Sequence, residues 1–251
     1  MTFLYEAINF LVVLTILFVV LIYLKLDILK SSLLILHLVA IFLLNDVLFP
    51  ATYMSDQFQY VGATQSIRMG GDLALRTSAG LSGSFFALAP VPFINSVRSI
   101  ALVNFLIYLF MFVFLKKKGL SNNSVDFFFL LYPSLLLYSS LALRDTIIFL
   151  FMFVSIYFFL MKRNYLLFII FIAPLIVLKF QNLLIVFLSI FLFYFTKGGL
   201  RLYKFLLVAI SLFLFYLMRD VPIERFTLGG IFSLNTLEGM RYALFAENYG
   251  Y

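Results

Sequence analysis

Residues 132–150 read YPSLLLYSSLALRDTIIFL, and they set Arg144 beside Asp145 inside an otherwise apolar run. Either the pair ends a membrane span or it works inside one. Length decides between the two. As a single helix, residues 126–161 would reach ~54 Å at ~1.5 Å per residue, against a hydrocarbon core of ~30 Å. The pair therefore belongs to the turn of a helical hairpin at a membrane surface, between spans at 126–143 and 146–161.

The rest of the chain has the same character. Of 251 residues, 65% are hydrophobic and 12% charged, a balance that leaves too little polar surface to coat a water-soluble globule. There is no cysteine, which excludes a disulfide framework and a thiolate metal site. The single histidine, His37, cannot build a zinc site. The opening MTFLYEAINFLVV lacks a basic n-region and a small-residue cleavage site, so a retained first span is expected.

Uncharged runs place further spans at about 7–24, 31–50, 99–115, 165–178, 182–196 and 205–218. The expected fold is all-α: a polytopic membrane protein of about eight transmembrane helices, forming one transmembrane domain over 1–251. Two other segments belong to it, an outer loop at 51–98 and an outer C-terminal segment at 219–251.

Alternation of the spans gathers the short loops at 25–30, 116–119, 162–164 and 196–204 on one side. They hold ten of the eighteen basic residues, which the positive-inside rule assigns to the cytoplasm, with both termini outside. Eight of nine lysines fall on that side, whereas seven of nine arginines fall on the other. The lysines follow the positive-inside bias, and the arginines do not. A guanidinium presents a planar fork that grips phosphate oxygens bidentately and stays charged. An arginine-lined outer face therefore suits an anionic ligand at the membrane surface, a lipid diphosphate being the natural candidate. The alternative is pairing with the outer acids, among them Asp56, Asp72, Asp145, Asp220 and Glu224.

Within the outer loop, residues 56–68 have the spacing of a short interfacial helix on which Phe58, Val61 and Ile67 share a side. The stretch SAGLSGSFFALAPVPF carries Gly80, Gly83, Pro90 and Pro92, so a broken re-entrant or interfacial segment is expected, with a pocket beside it. Asp56 and Tyr60, four apart, can share a helix face. Asp56 has the chemistry of a general base or of a counter-ion. Asp46, near the outer end of the second span, is a functional candidate for which hydrogen bonding between helices is an equal alternative, and packing is the favoured reading of Asn104, Gln181 and His37.

Two spans followed by an outer loop opening on Asp56-x-x-x-Tyr60 resembles membrane enzymes that polymerise or transfer lipid-linked sugars. Pro133, Ser134, Ser139, Ser140, Arg144 and Asp145 look like the hairpin found among them, and SVRSIALVN at 96–104 is also similar. The families in view are the O-antigen and capsule repeat-unit polymerases (Wzy-like), the EpsG-like exopolysaccharide proteins and the related GT-C glycosyltransferases. Arg219 with Gly230 fits an arginine–glycine spacing seen in some O-antigen polymerases. These families usually have ten or more spans, so the chain reads as a compact relative or a truncated product.

The resemblance implies a polyprenyl diphosphate-linked saccharide as substrate, no cofactor and no metal, in a bacterial inner membrane. It implies catalytic roles for Asp56 and Arg144, and substrate contacts from Tyr60, Arg68, Arg76, Asp145, Arg219 and Arg225. Membrane lipid and other polysaccharide-assembly proteins are the expected partners, and nucleic acid is not. Two readings compete: a carrier or flippase for a lipid-linked anionic saccharide, and a non-catalytic subunit of a polysaccharide assembly.

Overall fold

A computed structural model describes residues 2–45, 48, 56–72 and 77–197, and every described element is helical. The eighth expected span, the C-terminal segment 219–251, and Asp46, Arg76, Arg219 and Arg225 lie outside the described residues. The chain divides into two compact units, Met1–Lys179 and Phe180–Tyr251, where the sequence reads as one domain. In the second unit the described element is α10 (Phe180–Lys197).

The first unit holds α1 (Thr2–Leu24), α2 (Ile28–Leu44), α3 (Asp56–Arg68), α4 (Ser78–Ala87), α5 (Val97–Lys117), α6 (Asn123–Leu131), α7 (Pro133–Ser140), α8 (Asp145–Tyr157) and α9 (Tyr165–Leu178). A π-helical turn, Phe158–Lys162, extends α8. Three of these helical segments are long and apolar enough to cross a membrane: Phe3–Leu24, Val97–Lys117 and Asp145–Lys162. Ile28–Leu44, Tyr165–Leu178 and, in the second unit, Phe180–Phe195 are apolar but shorter. An all-helical chain with several membrane-competent helices is thus what the sequence reading and the structure share.

The helix at the centre is α5, whose Ile100–Phe105, Tyr108, Phe112 and Met111 are buried on several sides. Helix α1 runs parallel to it. Near their starts Glu6 accepts from Arg98 at 3.1 Å, and near their ends Lys117 lies 4.7 Å from the Tyr23 ring centroid. Helix α2 runs the opposite way, its first turn meeting the end of α5 and the start of α6. There Asp126, 1% exposed, pairs with Lys30 at 3.0 Å and with Lys116, while Ser121 donates to its other oxygen. This buried carboxylate staples three helix ends together. The cluster's lysines belong to the loops that the sequence places on one side.

The expected fourth span is not one helix. It breaks at Tyr132 into α6 and α7, because Pro133 has no N–H to offer the Phe129 carbonyl and its ring opposes a continuous helix. Carbonyls freed at membrane depth need partners from the protein. The Tyr108 hydroxyl donates to Phe129 O at 3.1 Å, and His37 Nε2 lies 2.8 Å from Leu130 O. A carbonyl only accepts, so Nε2 carries the proton and Nδ1 is a bare lone pair. His37, Tyr108 and Phe129 also stack, with centroid spacings of 4.7 and 4.8 Å. The same logic continues along the chain. Asn45 donates to Ser140 O at 2.8 Å, and Asn104 donates to Leu141 O and Leu143 O at 2.6 and 2.7 Å. Polar residues of α2 and α5 thus hold the backbone of the broken span and its turn.

Two further expectations change. Helix α3 has the expected bounds but buries Gln57, Tyr60, Val61 and Thr64, not a Phe58–Val61–Ile67 face, and Phe58 is half exposed. It turns its i, i+3, i+4, i+7 stripe toward α4, so protein packing, not the headgroup layer, selects the buried side. The glycines after Thr77 do not break the chain. Helix α4 is regular, capped by Thr77 Oγ1 on Gly80 N at 3.1 Å. Gly83 is there for proximity: a Cβ added to it would sit 2.8 Å from the Ala63 Cβ. Irregular backbone begins only at Leu88–Ser96, around Pro90 and Pro92.

Candidate functional site at the arginine end

Three described arginines lie at the end of the first unit where α1 and α5 begin, and they are used differently. Arg68 finishes α3 and turns onto the irregular strap after α4. Its Nη1 donates to Val91 O at 2.7 Å and Pro92 O at 3.1 Å, and its Nη2 to Ala89 O at 2.9 Å. Gln65 adds a bond to Ile94 O at 2.9 Å. Desolvation pulls the Arg68 pKa below its ordinary value. Its guanidinium is a clamp on three carbonyls, which takes it away from the substrate contact expected of it. Arg98 is paired with Glu6 and lies 5.9 Å from the Phe42 ring centroid.

Arg144 differs. It precedes the first turn of α8, in the turn that Asn104 anchors, and Thr146 fastens the same turn by donating to Tyr138 O at 2.8 Å. Arg144 Nη1 donates to the Ser78 hydroxyl at the start of α4. That uses one of the five N–H donors of the guanidinium, and the others have no partner among the described residues.

Tyr60 reports which other groups share this space. Burial pushes its hydroxyl pKa up to about 12; Arg144 opposes the shift, while Asp56 and Asp145 add to it. Asp56, Arg144 and Asp145 thus each act on the Tyr60 hydroxyl, although two of the four residues come from α3 and two from the start of α8. The Tyr60 ring is 3% exposed, with Phe86 at a centroid distance of 6.4 Å, so the ring offers no open face on which a sugar could stack. Its hydroxyl makes no hydrogen bond to the described residues and stays protonated in neutral solution, ready to donate. Asp56 is exposed in the first turn of α3, where the helix dipole favours its negative charge.

Asp145 opens α8 and pairs with Lys179 at 3.6 Å. The sequence reading assigned no role to Lys179. The signal was present, because it is the lysine that departs from the lysine-rich side. Ser78 was likewise missed, since a serine in a glycine-rich run carries no pattern of its own. Among the described residues the local charges are two cations, Arg144 and Lys179, and two carboxylates, Asp56 and Asp145. That set supplies an exposed base and a guanidinium with unused donors, which is the equipment for binding an oxyanion beside a hydroxyl to be deprotonated. Among the described residues no three histidine, aspartate or glutamate side chains gather as a metal ion would require.

The class that these observations define is a helical protein with membrane-competent segments and a polar site at one end of its first unit. Set against known proteins, the chain matches no family model, no curated protein and no solved structure.

Proposed function

We propose that the chain polymerises or transfers saccharides carried on polyprenyl diphosphate, at the outer face of a bacterial inner membrane, for surface polysaccharide. The observation that carries this reading is that Arg144, with guanidinium donors unused among the described residues, acts on Tyr60 of the Asp56–Tyr60 pair of the resemblance. Arg68 and Arg98 are engaged elsewhere, whereas Arg144 keeps donors for a ligand.

Breaking the bond between the anomeric carbon and the diphosphate leaves negative charge on the departing oxygen. Arg144 stabilises that charge, with the Tyr60 hydroxyl as a neutral second donor, and such preorganised donors are usually the largest catalytic contribution. Asp56 takes the proton of the acceptor hydroxyl. Asp145 orients the start of α8 and, through Lys179, keeps a second cation near the phosphates. Ser78 fixes the guanidinium plane.

The test uses purified protein in lipid vesicles with a labelled saccharide on polyprenyl diphosphate. Elongated product from the wild type, lost on Asp56→Asn and cut by at least about a hundredfold on Arg144→Lys, supports transfer, since lysine lacks the bidentate fork. Movement of the lipid across the bilayer without a new glycosidic bond would establish the carrier reading in its place.

A further inference from the structure

Helix α3 buries a stripe of Gln57, Tyr60, Val61 and Thr64. Three of the four are accounted for by ordinary packing. Val61 is apolar, Thr64 donates to the Tyr60 carbonyl at 2.6 Å, and the Tyr60 ring has Phe86 beside it. Gln57 is different. It is 4% exposed, its Oε1 is buried, and no described residue bonds its side-chain amide. A buried carbonyl oxygen without a partner costs stability, and a methionine or leucine here would fill the space without that cost.

The amide lies beside the groups of the Arg144 site. Asp56, Arg144 and Asp145 all act on the Tyr60 hydroxyl. Asp56 heads α3, four residues before Tyr60, and helical side chains lean toward the N-terminus of their helix. The Tyr60 hydroxyl therefore reaches back to the first turn of α3, which is the turn that carries Gln57. Residues three apart on a helix have Cβ atoms about 5–6 Å apart. The Gln57 amide thus flanks the hydroxyl on which Arg144 acts.

The hydrogen-bonding roles of these groups are complementary. Tyr60 and Arg144 offer donors, whereas Gln57 Oε1 only accepts. A bare phosphate answers the donors and leaves Oε1 without a partner. A ligand that answers both carries a hydroxyl beside its phosphate oxygens, as the first sugar of a lipid-linked saccharide does. We infer that Gln57 accepts a hydrogen bond from that sugar, and so separates saccharide-bearing polyprenyl diphosphate from the bare lipid. This rests on the proposed transfer of lipid-linked saccharides and names the contact that makes it selective.

The test places the full chain in lipid nanodiscs and measures its affinity for two probes. One is bare polyprenyl diphosphate, and the other is the lipid-linked saccharide pool extracted from a strain in which the gene is deleted. Wild type, Gln57→Met and Gln57→Leu are compared, and their unfolding temperatures are measured without either probe. The expected wild type prefers the saccharide-bearing lipid. Both variants should lose about tenfold of that preference, bind the bare lipid as wild type does, and unfold at a higher temperature. Two apolar replacements are used so that a packing defect in one leaves the other informative. An unchanged preference in either folded variant overturns the inference, because water or packing then accounts for the amide. A lower unfolding temperature or no folded protein from both variants also overturns it, since the amide is then structural. A wild type that binds neither probe refutes the saccharide-transfer reading and the inference with it. One that binds both alike removes the Gln57 contact alone and leaves phosphate binding at Arg144 standing.

Discussion

Replacing Asp126 by asparagine removes one charge from a cluster that holds two lysines. The carboxylate is 1% exposed, and its more deeply buried partner Lys30 has a side chain 7% exposed. Breaking a buried pair by removing one member costs about 3–5 kcal/mol, because the remaining charge is left uncompensated. Two features reduce that figure. Asp27 remains 3.4 Å from the Lys30 ammonium, but it is 56% exposed and contributes about 1 kcal/mol at most. The Lys116 side chain is 23% exposed and can turn to water at little cost. The expected loss for Asp126→Asn is therefore about 2–4 kcal/mol, read from reversible unfolding in mixed micelles with increasing anionic detergent. In a Lys30→Met background the same substitution should cost about 2 kcal/mol less, since the stranded charge has gone. A loss below about 0.5 kcal/mol, or equal losses in both backgrounds, would show that the cluster does not staple the helix ends.

Gly83→Val should destabilise by about 1–3 kcal/mol, because its Cβ meets Ala63 and the backbone at Thr64, while Gly62→Ala, inside α3 with nothing within 4 Å, should stabilise by about 0.5–1 kcal/mol. Arg68→Lys loses the fork that spans three carbonyls. Hydrogen exchange across 89–94 should rise while α5 keeps its protection, with a stability loss of about 2 kcal/mol. The Tyr60 hydroxyl, at about 12 in the folded chain against 10.0 when exposed, contributes stability that is intact below pH 10 and is lost as pH rises from there through 12. Tyr60→Phe should therefore flatten the alkaline fall in stability, and an unchanged alkaline slope would contradict the placement of that hydroxyl.

Helix positions were legible wherever apolar runs were long and bounded by charge. Val97–Lys117 and Tyr165–Leu178 lie close to the runs read at 99–115 and 165–178. The start of α3 at Asp56 was equally readable, because an acid heads a polar-flanked helical spacing. What composition could not show was how backbone groups freed by Pro133 are satisfied. That depends on His37 and Tyr108 arriving from two other helices, a contact with no local signature. Gly80 and Gly83 were read as breakers because glycine is costly in isolated helices, but at Gly83 packing on α3 turns the missing Cβ into an asset. At the site, chemistry was more legible than roles. The arginines stood out together, yet only the three-dimensional path of the strap at Leu88–Ser96 shows that Arg68 is a clamp and Arg144 is open. The resemblance makes Tyr60 a substrate contact, and the sequence does not reveal that its ring lies on the covered side of a short helix.

The most direct test of the proposed chemistry is the length distribution of surface polysaccharide in the strain that encodes this chain. The gene is deleted and returned as wild type, Asp56→Asn or Arg144→Lys, each at equal membrane abundance. The account predicts that deletion collapses the ladder or removes a sugar from it, that wild type restores it, and that neither variant does. A ladder unchanged by deletion, or restored equally by both variants, would contradict transfer of lipid-linked saccharides at the Arg144 site.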